Sequence, residues 1–270
     1  MIQKNMNSLP IWFFENLLRY REICHFVSTR SGGFSPLPYN SLNLGFHVGD
    51  DPQKVLKNRE LLASTFGFSI NNLVTSEQVH RGNVAVVTEK NHYLGATDYK
   101  SVIKATDAMI TNTREICLMV LLADCSPILF YDPKQKAIGV AHAGWSGTVN
   151  RIVGNTVNAM IKKYSSTPKD IIVGIGPTIG PCCYEVRLDV VEKVQKNLGN
   201  NKEIIIARNN KYYLNLWKAN KMQLLSSGIA EENIEVAEIC TKCNESVFFS
   251  ARANKGGTGR FGVGIMMLRD

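Results

Sequence analysis

An α+β layered sandwich is the fold class that the sequence predicts, on three observations. Short strand-like runs outnumber helical segments, the two kinds do not alternate as a doubly wound parallel sheet would require, and the helical segments are amphipathic. The chain has 270 residues, 44% of them hydrophobic and 20% charged, which gives ample volume for a buried core. No internal repeat, low-complexity tract or Pro/Gly linker divides it, so residues 1–270 are expected to form one domain.

In chain order, strand-like runs lie at 23–29, 72–79, 83–88, 116–124, 127–131, 136–143, 171–176, 203–207, 211–214, 234–239, 246–250 and 261–268. Four helices are interspersed. The first starts at Asp50-Asp51-Pro52, a cap followed by proline, and carries Val55, Leu62 and Phe66 on one side. The second follows Ser146 and runs over 146–163, repeating Val149, Ile152, Val153, Val157, Met160 and Ile161 at helical spacing. The third spans about 188–198, with Val190, Val191, Val194 and Leu198. The fourth runs from Asn215 to Ser227 with Leu216, Ala219 and Leu224, and Gly228 closes it.

Composition narrows the function. The net charge of +8 is spread along the chain. It favours anionic small molecules such as phosphate, and without a Lys/Arg cluster interleaved with aromatics no specific nucleic-acid partner is expected. Seven cysteines, an odd number in a chain of this size without a recognisable secretory signal, are expected to be reduced thiols, which points to the cytoplasm. No apolar run approaches 18 residues, so no membrane association is expected. The sequence does not specify an oligomeric state.

Three strand-like runs end on a metal ligand or nucleophile: Gln78-Val79-His80, Ala123-Asp124-Cys125, and His142-Ala143-Gly144-Trp145. Positions 80, 125 and 142 are far apart in the chain, so only the fold can unite them. Two imidazoles and a thiolate suit Zn²⁺, leaving a fourth position for water or substrate, and zinc-bound water titrates near pH 7. The same residues suit a Cys-His nucleophilic pair. They also suit a buried thiol beside two hydrogen-bonded histidines, with no shared role.

The flanks read as site architecture. Asp124 is placed to bond a ligand imidazole, or is a plain strand-end carboxylate. The glycines of His142-Ala143-Gly144-Trp145-Ser146-Gly147 permit close backbone approach, and the following helix start offers N–H groups to an anion. Lys255-Gly256-Gly257-Thr258-Gly259-Arg260, after Arg252, is basic and rich in backbone N–H, which suits phosphate; Thr29-Arg30-Ser31-Gly32-Gly33 is a weaker version. Asn43, in Ser41-Leu42-Asn43-Leu44-Gly45, suits a purine edge, a ribose hydroxyl or a plain turn, and Arg59 follows on the first helix. Cys240 and Cys243 form one C-x₂-C without a second pair at zinc-ribbon spacing. Cys182-Cys183 reads as turn and core packing, and His25, His47 and His92 read as structural or surface residues.

Together these residues resemble a known family. Ser41–Gly45, His47-Val48-Gly49-Asp50, Asn58-Arg59, Gln78-Val79-His80, Asp107-Ala108-Met109, Ala123-Asp124-Cys125, His142-Ala143-Gly144-Trp145, Ile175-Gly176-Pro177, Ile179-Gly180-Pro181 and Gly259-Arg260 fall in the order seen in YfiH-like proteins. That family is also called the laccase-domain or polyphenol oxidase family and, more recently, purine nucleoside phosphorylases. The resemblance covers about Val27 to Leu268. It implies an α/β/β/α sandwich similar to the catalytic domain of cytotoxic necrotising factor, with one zinc ion on His80, Cys125 and His142. It also implies phosphorolysis of adenosine, inosine, guanosine and methylthioadenosine with inorganic phosphate as co-substrate, and hydrolytic deamination of adenosine. Where relatives often carry paired arginines, this chain has Ser250-Ala251-Arg252-Ala253, so only Arg252 of such a pair is present.

In this expectation His80, Cys125, His142 and Asp124 are catalytic, and Asn43, Arg59, Arg252 and Arg260 bind substrate. Copper is not expected, because five histidines cannot furnish the imidazoles of several copper centres. The alternative is a hydrolase or amidase with Cys125 as nucleophile and His142 as base, acting in cell-wall precursor editing. A third possibility is a binding module whose zinc is closed by a fourth protein ligand from Cys240 or Cys243.

Overall fold

The computed structural model describes residues 1–269. Its first half contains β1 (Ile2–Met6), β2 (Leu9–Phe13), β3 (Ile23–Ser28), α1 (Pro52–Thr65), β4 (Leu73–Val74), β5 (Val84–Val86), β6 (Ala108–Thr111), β7 (Cys117–Leu122) and β8 (Ser126–Asp132). Then come β9 (Ala137–Ala143), α2 (Trp145–Val149), α3 (Ile152–Tyr164), β10 (Ile172–Ile175), β11 (Glu185–Val186) and α4 (Leu188–Leu198). The last elements are β12 (Ile205–Arg208), β13 (Lys211–Leu214), α5 (Leu216–Ser226), β14 (Ile234–Val236) and β15 (Phe261–Met267). One six-stranded sheet has the order β1-β2-β3-β15-β7-β4, a second has β14-β10-β8-β9-β6-β5, and β11-β13-β12 form a small third.

The period-2 alternation of strands explains the layering. On β7, Leu118, Val120 and Leu122 enter the core between the two large sheets, while Cys117, Met119 and Leu121 face the outer layer that holds Leu62 of α1. On β8, Leu129 and Tyr131 join the same central core, whereas Ile128 and Phe130 pack on Val153, Val157 and Met160 of α3 and Leu224 of α5. Both faces of each central strand are therefore apolar. Each fully buried Leu, Ile or Phe contributes about 1.5–3 kcal/mol of transfer free energy. The mixed α/β architecture with few helices is the coarse class expected.

Several elements differ from expectation. The run 246–250 is not a strand: it is turn and irregular chain that buries Phe248 and Phe249 in the central core as a loop, with Arg30 N–H donating to Val247 O (2.9 Å). The helix expected over 146–163 is broken into α2 and α3, because Arg151 adopts the left-handed conformation (φ 59°). Only five residues of helix follow Gly144, so the expected long-helix N-terminus at the site is absent. Strand 72–79 shortens to Leu73–Val74. The hairpin of β1 and β2 lies outside the expected strands, although Asn7 and Ser8 (φ 46° and 70°) form the type of two-residue turn that favours Asn. Strand β6, carrying the run Ala108-Met109-Ile110-Thr111, is likewise additional to the expected strands.

Candidate metal centre and the adjoining cavity

The site forms where both large sheets end. Strand β7 of one sheet hands the chain to β8 of the other through Ala123-Asp124-Cys125, with Asp124 at φ 95°, and Cys125 sits at this crossing. On β9, Ile138 and Val140 face the central core, so by alternation His142 shares their face at the strand's end. His80 comes from the loop after β4. That loop is pinned by Gln78, whose side-chain amide donates to Leu121 O and accepts from Leu121 N–H, both at 2.8 Å.

The ligand atoms of His80, Cys125 and His142 all lie within 4.8 Å of one another. Cys125 Sγ is 3.8 Å from His80 Nε2, and the two imidazole rings stand edge to face with centroids 4.7 Å apart. Gly144 is required beside them: a Cβ there would lie 2.7 Å from Cys125 Sγ and 3.1 Å from His80 Cδ2.

Asp107 ties the two histidines together. Ala108 pairs with Ala141 in the antiparallel β6–β9 register, which places Asp107 opposite His142. Asp107 Oδ1 is 3.0 Å from His142 Nδ1 and accepts from His80 N–H (2.8 Å). Oδ2 accepts from Arg81 N–H (2.8 Å) and Val79 N–H (3.3 Å). Burial alone would raise its carboxyl, but His142 and the Arg81 and His80 amides hold it below the ordinary value. With Nδ1 committed to Asp107, His142 offers Nε2 to the site.

Burial opposes ionisation of the Cys125 thiol, yet His142 and His80 outweigh it and bring the thiol to about 6. Burial likewise opposes protonation of His142, but Cys125 and Asp107 raise it to about 9. The pair therefore favours thiolate and imidazolium. A sulfur that ionises near neutrality beside two imidazoles is a borderline-soft donor set, and it fits zinc.

These residues line a cavity of about 620 Å³, within the range of small-molecule sites. Leu121, Ile179, Leu216, Trp145 and Tyr184 give it an apolar side, and Arg252, Lys255 and Arg260 a basic one. Arg252 lies over the Tyr184 ring (5.1 Å) and donates to Glu185 O (2.9 Å); Arg260 donates to Thr258 O (2.9 Å) and Gly259 O (3.0 Å). Burial lowers the Arg260 guanidinium from its ordinary value.

Three expectations need correction. Arg59 does not line the cavity: it is fully buried and donates to Leu44 O (2.8 Å), Ala96 O (2.9 Å) and Gly95 O, so it holds backbone. Asn43 is also fully buried. Its amide donates to Asp50 Oδ2 (2.9 Å), and its oxygen accepts from Gly45 N–H (3.0 Å) and Arg260 N–H (2.8 Å), which fixes the base of Arg260 rather than a substrate. Asp124 lines the cavity but does not bond either imidazole. Its oxygens accept from Thr241 Oγ1 and Arg252 N–H, both at 2.6 Å, so the imidazole-orienting carboxylate is Asp107.

Two further residues escaped the sequence reading. His47, which reads as structural or surface in the sequence, lines the cavity; burial first, then Arg260 and Arg59, lowers its imidazole to about 4 and keeps it neutral. Asp107 was visible as Asp107-Ala108-Met109, but without β6 its pairing with His142 was hidden. Cys240 and Cys243 do not close the centre; their sulfurs gather instead with Cys182 and Cys183.

Known proteins resemble this chain over most of its length. Residues 24–268 match the family model described as multi-copper polyphenol oxidoreductase laccase. The purine nucleoside phosphorylase YlmD of Geobacillus stearothermophilus is 39% identical over 236 residues, covering 87% of this chain and 86% of the relative. Adenosine deaminase RL5, from an unknown prokaryotic organism, is 34% identical over 242 residues, covering 89% of this chain and 92% of the relative. The crystal structure of the hypothetical protein YfiH of Bacillus licheniformis aligns with a TM-score of 0.91 at 35% identity, over 96% of both chains. The chain therefore belongs to the laccase-like YfiH family, whose relatives include proteins named purine nucleoside phosphorylase.

Proposed function

We propose that the chain, acting as one catalytic domain over residues 1–270, is a zinc-dependent purine nucleoside enzyme. It would cleave adenosine, inosine, guanosine and methylthioadenosine with inorganic phosphate to free base and ribose 1-phosphate (methylthioribose 1-phosphate from the last), and hydrolytically deaminate adenosine. The observation that carries this reading is the convergence of His80, Cys125 and His142 on the wall of a cavity that also presents Arg252, Lys255 and Arg260. The relatives' names supply the substrate class.

His80 Nε2, Cys125 Sγ and His142 Nε2 would hold one Zn²⁺. When bound, the ion supplies Lewis-acid polarisation while three protein ligands leave a position open to a non-protein ligand. The basic side holds phosphate through charge-assisted hydrogen bonds, and the apolar side takes the purine and excludes water. In phosphorolysis a phosphate oxygen bonds to C1′, the C1′–N9 bond breaks, and the proton of hydrogen phosphate balances the departing base. In deamination water adds at C6 and ammonia leaves. The His47 imidazole, kept neutral by a value of about 4, is too weak a base for that step and would serve on the wall as a hydrogen-bond partner of the substrate, while Asp124 is the carboxylate on the same wall that would move the proton.

Copper chemistry is not part of this reading. Of the five histidines His25 is committed to the core, where its Nε2 accepts from Phe14 N–H (3.0 Å), and too few remain for several copper centres. A cytoplasmic location is part of it, because the site needs a reduced Cys125. Incubating zinc-loaded protein with adenosine and phosphate, and resolving adenine, inosine and ribose 1-phosphate, tests the proposal; no product sinks it.

The lowered Cys125 thiol beside His142 favours one second reading, a Cys125/His142-dependent hydrolase or amidase in cell-wall precursor editing. Activity that survives complete chelation selects it; activity lost on chelation and restored by zinc selects the metal.

A further inference from the structure

The geometry points to a second metal site, in which Cys182, Cys183, Cys240 and Cys243 together hold one structural Zn²⁺ as thiolates. Their four sulfurs lie within 4.8 Å of one another, with Cys182 Sγ 3.6 Å and Cys183 Sγ 3.4 Å from Cys243 Sγ. A tetrahedral ion with Zn–S bonds of about 2.3 Å sets its sulfurs about 3.8 Å apart. The cluster is thus close to the required size, and all four cysteines are free thiols.

The surrounding chain supports ligation. Cys240 Sγ accepts from Gly180 N–H (3.2 Å) and from the backbone N–H of Cys243. Such amide donors stabilise sulfur as thiolate. Four thiolates and one Zn²⁺ leave a net charge of about −2, and cations are at hand. Arg208 donates to Cys182 O (2.7 Å) and Pro181 O (3.2 Å), and Lys242 lies between the two cysteines of the C-x₂-C. Four protein sulfurs close the coordination sphere, so the site is structural, unlike the three-ligand centre of the cavity.

Position gives the ion its consequence. One pair of cysteines belongs to the loop that carries Ile179 and Tyr184, and the other to the loop that carries Thr241 and leads to Arg252. The two meet at the bridge of Thr178 with Cys240. An ion here would clip together both loops of one cavity wall. The site does not rest on the identity of the substrate.

The test uses the full chain, zinc-loaded under reductant, with metal counted by mass spectrometry. Two ions per folded chain are expected, falling to one in Cys125→Ala, which leaves the cluster intact, and to one in Cys182→Ser/Cys243→Ser. Cobalt-loaded Cys125→Ala should show strong thiolate-to-cobalt charge transfer. In wild-type protein, Cys182 and Cys243, exposed in the fold, should resist alkylation until a chelator is added. If the double variant aggregates, the Cys125→Ala count and the wild-type alkylation map still decide. A folded, zinc-loaded Cys125→Ala chain holding no ion, alkylation at the same rate with and without chelator, or a disulfide within the cluster overturns the proposal.

Discussion

Replacing Asp107 with asparagine is expected to weaken zinc binding at the His80–Cys125–His142 centre by about 10- to 100-fold, the usual effect of losing a carboxylate behind a ligand imidazole. The geometry makes the reasoning specific. Asp107 is wholly buried, and its two oxygens face four donors: the backbone N–H groups of Val79, His80 and Arg81 and the His142 ring at Nδ1. Asparagine keeps one acceptor oxygen and replaces the other with a donor, so in either orientation two donors lose their acceptor. A buried donor without a partner costs about 1–3 kcal/mol, which for two donors gives a total of about 2–6 kcal/mol shared between stability and histidine placement. A metal-free variant melting roughly 5–15 °C lower is consistent with that total. The affinity is read by competition with a chromophoric chelator, and the change should be confined to one ion per chain. A folded Asp107→Asn protein that holds zinc as tightly as wild type would refute the view that this carboxylate positions both imidazoles.

Further outcomes follow from individual contacts. Gly144→Ala places a methyl group 2.7 Å from Cys125 Sγ. Zinc affinity should fall while the fold survives a strain of about 1–3 kcal/mol, and unchanged affinity would contradict the close approach. Arg252→Leu should raise the KM for phosphate about 10-fold or more with little change in melting temperature, as for loss of a charged hydrogen bond. Arg59→Leu should do the reverse, destabilising by about 3 kcal/mol or more through three carbonyls left without a donor, with KM unchanged in whatever protein folds. His25 is held at about 4 by burial, against an ordinary 6.5. Because the unfolded chain binds the proton more readily, this residue's contribution is full above pH 6.5 and is lost as pH falls through 4, about 3 kcal/mol in all. Urea melts between pH 7 and 4 measure it, and His25→Phe should flatten that part of the profile.

Much of this was legible in the chain because it lies in local pattern. Asp51-Pro52 starts α1 as its spacing suggests, with the Asp51 side chain accepting from Gln53 N–H (2.9 Å), and the apolar repeat of α3 faces its sheet. His80, Cys125 and His142 stood out because each ends a strand-like run. What was hidden depends on register between distant segments. Asp107 acquires its role only when β6 pairs with β9, and β6 has too few residues to announce itself. Arg59 and Asn43 look like substrate ligands until burial shows their polar atoms spent on backbone and on Asp50. Cys182 and Cys240 are far apart in sequence, so two weak cysteine pairs gave no hint that they form one cluster. Arg151 breaks an apolar pattern that otherwise continues without interruption, since a single left-handed residue leaves no periodic trace.

The most direct test of the metal centre is anomalous diffraction at the zinc edge from crystals of the zinc-loaded protein. The expected map has a peak bonded to His80 Nε2, Cys125 Sγ and His142 Nε2, with its remaining ligand a non-protein atom in the cavity. A zinc-loaded crystal with no peak there, or a peak closed by a fourth protein ligand, would contradict a catalytic metal at this site.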